Sequence, residues 1–343
     1  MVYKVGIVGY GTIGKRVADA VMLQDDMELV GITGNSYNYR MDVAKSKGIP
    51  IYLLGDNAGD FKENNIPVVG AFKDLLGKVD IIVDASPKPA GKENIEKFYK
   101  PAGVPAIIQG GEKHQSAECS FNAQSNYEEA VGKKYVRVVS CNTTGLSRTL
   151  NALHCAFGVK RARATLIRRA SDPPGIKSGP VNAIIPSTEL PSHHGPDVRT
   201  VIKDIEVFST AIIVPTTLMH MHVLSVRMKK SVTPDEAREV LRRTTRIQLV
   251  REKAGIKSTA QIMELAKDMG YSRSDMMDLC IWEEGIGAYE DELFFMQAVH
   301  QESDVVPDNV DCIRAMLGFK DKNASIIKTN KTLNMHNPED FDY

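Results

Sequence analysis

A two-domain α/β fold follows from three observations on the 343-residue chain. Short apolar runs alternate with amphipathic segments through the first 140 residues. A glycine-rich turn joins the first run to the first helix-like segment. From about residue 160 the texture shifts to β-branched stretches such as "ARATLIRRA", "IEVFSTAIIVP" and "LMHMHVLSVRM". Strands alternating with helices build a parallel sheet covered on both faces, and the later stretches predict a mixed, more antiparallel sheet in an α+β domain. The length exceeds one small core and favours two domains.

Taken in order, "KVGIVG" reads as a buried strand and "RVADAVML" as the helix after it; "ELVGIT", "VDIIVDAS", "VPAIIQG" and "VRVVS" supply further strands. Between the first two elements lies Gly9-Tyr10-Gly11-Thr12-Ile13-Gly14, a G-x-G-x-x-G motif opening a helix whose apolar face is Ile13, Val17 and Val21. Gly9 permits the tight turn, Gly11 lets backbone approach a pyrophosphate, and Gly14 lets helix and strand pack closely. The helix N-terminus then offers donors to phosphate. A dinucleotide site is the functional reading and a structural glycine turn the competing one.

The run Val136, Val138, Val139 breaks at Cys141 into Asn142, Thr143 and Thr144, followed by Leu146, Leu150, Leu153 and Phe157 at helical spacing and by Gly158. Cys141 therefore belongs at a helix start, where free N–H groups and the dipole favour a thiolate. The competing reading is a small buried hydrophobe. The position also falls where the two textures meet, and active sites often lie where domains meet.

Residues 234–279 read as charged, amphipathic helices. The 43% hydrophobic and 25% charged residues are those of an ordinary globular protein, and 43 basic against 43 acidic residues offer no polyanion-binding surface, so no nucleic-acid partner is expected. No apolar run approaches a membrane span and no signal peptide precedes "MVYKVGIVGYG", so a cytoplasmic protein without membrane contact is expected. Five cysteines (119, 141, 155, 280 and 312), odd in number and without C-x-x-C spacing, fit a reducing compartment.

A nucleophilic Cys141 needs a base and a substrate-binding set. His220 and His222 in "LMHMH" share one face of a strand with Leu218 and Leu224, and either also reads as a buried core histidine. His193 and His194 sit in the loop "PSHHGPD". No H-E-x-x-H or cysteine pattern accompanies the four, so no metal is expected. Arg168 and Arg169 point to alternate faces, one a surface cation and the other suited to phosphate or cofactor.

Several stretches in one order now carry a resemblance: "GYGTIGKRVADAV", "IIQGGEKH", "SCNTTGLSRTL", "RRASDP", "LPSHHGPDV", "VPTTLMHMH" and "HQESDVVPDNVDCIRAM". Together they resemble the archaeal type of glyceraldehyde-3-phosphate dehydrogenase, nearly end to end. The resemblance implies a homotetramer, a Rossmann domain over residues 1–140 completed by 301–343, and a catalytic domain over 141–300. It implies Cys141 as nucleophile, His220 rather than His222 as general base, and Ser140, Asn142, His194 and Gly195 as substrate contacts. With the motif glycines Gly9, Gly11 and Gly14, it places the cofactor against Thr12, Ile13, Gly111, Arg169 and Gln301.

The implied reaction is the reversible, phosphorylating oxidation of D-glyceraldehyde 3-phosphate to 1,3-bisphosphoglycerate. It takes inorganic phosphate as second substrate, passes through a thiohemiacetal and a thioester, and hands a hydride to NAD(P). The alternatives are another cysteine-dependent semialdehyde or acyl-phosphate dehydrogenase, and a nucleotide-binding regulator without the chemistry. For the cofactor, the strand end Thr33-Gly34-Asn35-Ser36 has no carboxylate to hold a ribose 2′-OH and repel a 2′-phosphate; Glu28 lies too early and Asp42 too late. Thr33, Asn35 and Ser36 can donate to a phosphate, with Arg40 nearby, although "TGNSYNYR" lacks a lysine that many relatives carry. NADP and NAD are both expected, with NADP preferred.

Overall fold

A computed structural model of the chain describes residues 2–109, 111–172, 175 and 179–335. Position 110 of "IIQGGEKH", position 173 of "RRASDP" and positions 336–343 of the C-terminal region lie outside the described residues. Strands run over Tyr3–Val8 (β1), Met27–Gly34 (β2), Ile51–Leu53 (β3), Gly70–Ala71 (β4), Ile81–Asp84 (β5), Ala106–Ile108 (β6), Cys119–Phe121 (β7), Tyr135–Val138 (β8), Val159–Arg169 (β9), Ile185–Pro186 (β10), Glu206–Val214 (β11), His220–Met228 (β12), Ile247–Val250 (β13), Leu279–Trp282 (β14), Gly287–Tyr289 (β15) and Glu292–Val299 (β16). The longer helices cover Thr12–Met22 (α1), Tyr39–Ser46 (α2), Cys141–Phe157 (α3), Pro234–Arg242 (α4), Thr259–Asp268 (α5), Val306–Met316 (α6) and Lys322–Thr332 (α7). Two compact units result: residues up to Val139 with Val306–Leu333, and a second unit that holds Ser140–Val305.

The first unit is a parallel sheet in the order β4-β3-β2-β1-β5-β6-β8-β7. Val5, Ile7 and Val8 of β1 and Ile81, Ile82 and Val83 of β5 are fully buried, as strands covered on both faces require. The strand order reverses between β1 and β5, the position at which open α/β sheets bind ligands. The C-terminal helices belong to this unit, and every residue of α6 is buried. Arg314 of α6 explains part of that attachment. Its guanidinium forks onto both Asp26 oxygens at 2.9 Å and also donates to Gln24 and to Thr329 of α7, both at 2.6 Å.

The second unit is a mixed sheet in the order β10-β11-β9-β12-β16-β14-β13, with β15 paired to β16. β9 runs parallel to β11 and antiparallel to β12, which is antiparallel to β16. Alternation sorts the faces. Ala162, Ala164 and Leu166, Val207 and Ser209, His220, His222 and Leu224, and Phe295 and Gln297 point inward and are buried. Helix α3 packs against β9, β12 and β16. Its inward positions Leu146, Leu150 and Leu153 are fully buried, and Gly158 ends it at φ 74°.

Two details differ from the sequence expectation. The cap of α3 is Ser140, not the Asn142-Thr143-Thr144 group, so Cys141 is the first helical residue. Leu218 lies before β12 and is exposed, so the inward face at this end starts with His220.

Candidate active site

In the first unit, β1 ends directly in the glycine turn. Gly9 adopts φ 82°, and a Cβ there would lie 2.9 Å from the Ala85 and Ser86 backbone at the end of β5. A Cβ on Gly14 would lie 2.1 Å from the Gly9 carbonyl oxygen, so α1 can approach the turn only because Gly14 has none. Gly11 differs: nothing lies within 4 Å of where its Cβ would be. Gly11 is also the N-cap of α1, with no side-chain cap bond and no acidic residue in the first turn of Thr12 and Ile13. This open, uncapped helix N-terminus is shaped for an anion approached by backbone. Gly111 is exposed and likewise open, its nearest non-neighbouring atom being the Lys88 Cβ at 3.8 Å.

At the end of β2, Thr33 is buried, and its hydroxyl oxygen accepts from the Gly9 N–H at 3.4 Å. It therefore faces the glycine turn, leaving exposed Asn35 and Ser36 as the outward groups. Two carboxylates of the region are engaged by Tyr37: Asp60 accepts its N–H at 2.6 Å and Asp42 its hydroxyl at 2.9 Å. The Arg40 guanidinium lies 5.4 Å from the Tyr39 ring centre.

In the second unit, the Ser140 hydroxyl accepts from the Thr143 N–H at 3.4 Å and shares a 2.9 Å bond with the Thr143 hydroxyl. Because Thr143 donates its own proton to Asp197 at 2.7 Å, Ser140 is the donor in that shared bond. Half-buried Cys141 follows. Burial and the Asp304 carboxylate push its thiol up to about 12, against the Arg169 and Arg168 charges and the Asn142 backbone N–H, which pull it down. This corrects the expectation of a resting thiolate: at the helix start, desolvation outweighs the local donors.

His220 is buried on β12. Its Nδ1 accepts from the Arg169 backbone N–H at 3.0 Å, so the neutral ring carries its proton on Nε2. Burial, reinforced by His222, Arg169 and Arg168, holds it well below the ordinary histidine range. His194 is stacked on His193 at 3.9 Å between ring centres, and burial with the His193 and Arg168 charges lowers it to about 2.

The hydrogen bonds around His194 run in one direction. Ser209 accepts from the Gly195 N–H at 2.8 Å and donates to the Ser192 carbonyl at 2.9 Å. Ser192 is then the donor in its 2.8 Å bond to Ser209, and accepts from His194 Nδ1 at 3.3 Å. The His194 lone pair therefore lies on Nε2. A Cβ on Gly195 would lie 2.7 Å from the Val207 carbonyl oxygen, which explains glycine there.

Arg169 binds the Ser171 carbonyl at 2.6 Å, pairs with Asp172, and lies 3.6 Å from Glu302. Gln301 is buried, and neither its amide nitrogen nor its amide oxygen has a partner among the described residues. Such an amide fits a ligand that offers both a donor and an acceptor.

The second unit thus gathers Ser140, Cys141, Asn142, His194, Gly195, Arg169, His220 and Gln301, while Gly9, Gly11, Thr12, Ile13, Gly14 and Gly111 stand in the first. The Arg168 and Arg169 charges act on both Cys141 and His220, which places thiol and imidazole in one electrostatic neighbourhood. Sequence reasoning left out Arg168 as a site residue, and missed Asp197, Thr149 and Gln297. Gln297 had a signal: it is a polar residue at an inward position of the apolar run "FFMQAV". Among the described residues no group of His, Cys, Asp and Glu is placed to hold a metal, and no helix is long and apolar enough to cross a membrane.

Comparison with known proteins bears on the whole chain. Residues 140–280 match the family described as glyceraldehyde 3-phosphate dehydrogenase, C-terminal domain, and residues 3–120 match dihydrodipicolinate reductase, N-terminus. The chain is 53% identical over 332 residues to the glyceraldehyde-3-phosphate dehydrogenase of Methanococcoides burtonii, covering 96% of this chain and 98% of the relative. It is 50% identical over 337 residues to the enzyme of that name from Methanocaldococcus jannaschii, with the same coverage. The Methanobacterium formicicum enzyme is 49% identical over 332 residues, again covering 96% and 98%. Fold and site define an oxidoreductase with a parallel-sheet nucleotide-binding domain and a mixed-sheet domain that carries the cysteine. The chain belongs to the glyceraldehyde-3-phosphate dehydrogenase family.

Proposed function

We propose that the protein catalyses the reversible oxidation of D-glyceraldehyde 3-phosphate with inorganic phosphate to 1,3-bisphosphoglycerate, through covalent capture on Cys141. The observation that carries this reading is the placement of Cys141 as first residue of α3, in the same arginine field as His220. The Cys141 sulfur adds to the aldehyde carbon, and the thiol proton ends on the aldehyde oxygen, giving a thiohemiacetal. In the resting tautomer His220 can donate from Nε2 to that oxygen. To take the hydroxyl proton at Nε2 during oxidation, the ring must release the Arg169 N–H and carry its own proton on Nδ1. Inorganic phosphate then attacks the thioester carbon and the sulfur departs.

Arg168, whose Nε is buried without a partner among the described residues, is the cation suited to a phosphate group. His194, with its lone pair on Nε2, suits a substrate hydroxyl, and Ser140 and Asn142 flank the reacting sulfur. Gly195 contributes close backbone packing.

A bound nicotinamide cofactor supplies the hydride acceptor. Gly9, Gly11 and Gly14 shape its phosphate turn, Thr12 and Ile13 offer the first-turn N–H groups, and Gly111 leaves open space. Arg169 and the unpartnered Gln301 amide supply side-chain contacts. With Asp42 and Asp60 engaged by Tyr37, exposed Asn35 and Ser36, with half-buried Arg40 beside them, favour NADP over NAD while accepting both. The domain reading follows the same roles, residues 1–140 with 301–343 for cofactor and 141–300 for catalysis. The compact units themselves divide at Val139 and Val306 and leave Ser140 and Gln301 with the catalytic one.

Phe208, Val223, Phe294 and Met296 are exposed on the outward face of the second sheet, a patch suited to a second copy in a homotetramer. All five cysteines are free, which suits a reducing cytoplasm. One spectrophotometric assay decides the activity: reduction of NADP and of NAD with glyceraldehyde 3-phosphate, with and without phosphate, and with aspartate semialdehyde as the rival substrate. Turnover of the semialdehyde alone would contradict the proposal.

A further inference from the structure

Behind Cys141 lies a buried polar chain whose direction can be read from one fixed end. The Gly145 carbonyl can only accept, so the Gln297 side-chain atom 3.0 Å from it is the amide nitrogen. Thr149 closes the other side of that amide, donating its hydroxyl to Gln297 Oε1 at 2.7 Å. The same Gln297 nitrogen lies 3.0 Å from His222 Nδ1 and donates to it, so the neutral His222 ring carries its proton on Nε2. Nε2 donates to Asn142 Oδ1 at 2.9 Å. With its oxygen held there, Asn142 turns its NH2 group to the Cys141 sulfur, 3.9 Å away.

Thr149, Gln297 and His222 are fully inaccessible to solvent and Asn142 nearly so. Water cannot substitute for a missing partner, and each bond fixes the next. Burial holds His222 at about 3, so the ring stays neutral across the working pH range and the direction does not reverse. Gly145 lies beside the ring: a Cβ there would be 3.4 Å from His222 Cε1, an ordinary contact, but only 2.6 Å from Val299 Cγ2.

We propose that Gln297 and His222 are positioning residues that hold the Asn142 amide with its NH2 toward the Cys141 sulfur, where it donates to the anionic sulfur formed in attack and departure. The inference rests on Cys141 being the nucleophile. A flipped Asn142 would present its carbonyl oxygen to the same sulfur and oppose the anion, so the direction of the chain decides the sign of the effect. His222 thus acts two bonds from the chemistry, through Asn142.

The test separates the two ends of the imidazole. The shorter amide introduced by His222→Asn reaches only the Nδ1 position and loses the donor to Asn142. The longer amide introduced by His222→Gln reaches the Nε2 position and keeps that donor. His222→Asn should slow alkylation of Cys141 by iodoacetamide about tenfold at fixed pH and lower kcat by a similar factor, with little change in KM for the aldehyde. His222→Gln should stay within about threefold of wild type in both. Equal behaviour of the two variants, whether both intact or both impaired, overturns the proposal.

Should either variant not fold, the nitrogen chemical shifts of His222 in the intact wild-type protein decide. The proposal requires a protonated Nε2 and a bare Nδ1, and the opposite tautomer overturns it. That reading is independent of the nucleophile, whose failure would show instead as an active Cys141→Ser enzyme.

Discussion

In the parallel sheet of the first unit the candidate site is backbone: a turn at Gly9, an uncapped helix start at Gly11 and close packing at Gly14, all within six consecutive residues. In the mixed sheet of the second unit it is side chains from distant positions, with Cys141 on α3, His220 and His222 on β12, Gln297 on β16 and His194 on a short helix. The first arrangement binds through shape and N–H groups, so it depends on what is missing from its residues. The second does chemistry, so it depends on which atom of each side chain carries a proton. A backbone site should be lost by adding atoms, and a side-chain site by changing functional groups of equal size.

The largest expected effects are in the second unit. Cys141→Ser should drop turnover below about one thousandth of wild type while the cofactor still binds, since a serine hydroxyl is a far poorer nucleophile than cysteine sulfur. His220→Asn should cost about 10²–10⁴-fold in kcat. Steady-state kinetics with a cofactor titration measures both, and a Cys141→Ser enzyme that still turns over would end the covalent account.

The glycine turn should separate folding from binding. Gly14→Ala places a methyl against the Gly9 carbonyl and should lower the thermal midpoint of the protein. Gly11→Ala meets open space, so its midpoint should match wild type while cofactor affinity falls about tenfold through the lost close approach. Calorimetry beside a binding titration checks the pair. Equal midpoints for the two variants would show that this turn is not packed as described.

At the end of β2, Asn35→Asp should move the ratio of kcat/KM values toward NAD by about tenfold, because a carboxylate there repels a 2′-phosphate. An unchanged ratio would place recognition of the 2′ position elsewhere.

The smallest effect is on pH dependence. His194 and His222 titrate near 2 and 3 in the folded chain, whereas an unfolded histidine titrates near about 6.5. Between these values the unfolded chain takes up protons that the folded one refuses. Their contribution to stability is therefore full above about pH 6.5 and declines as the pH falls from there toward 3. The thermal midpoint should drop between pH 7 and pH 5, with a shallower slope in His222→Gln.

The two regions also differed in how far sequence revealed them. The glycine turn was legible because its residues are consecutive and each has a steric reason to lack a side chain. The parallel sheet was legible because strands buried on both faces read as apolar runs. The helix start at Cys141 is legible in the sequence, whereas the burial and the Asp304 charge that raise its thiol are not, because both are set by tertiary packing. The sequence shows Thr33 as a possible donor to phosphate but not that its hydroxyl also accepts from the Gly9 N–H, a bond between residues 24 positions apart that leaves its own proton free. Periodicity put His220 and His222 on one face without telling them apart. Their partners do: the Arg169 backbone for one, Gln297 and Asn142 for the other.

The most direct test of the account is to look for the acyl group itself. The enzyme would be mixed with glyceraldehyde 3-phosphate and cofactor in the absence of phosphate, quenched in acid, and mapped by peptide mass. The account predicts a 3-phosphoglyceryl thioester on the peptide carrying Cys141, absent from Cys155 and discharged when phosphate is added before quenching. Turnover without that adduct, or an adduct on another residue, would contradict it.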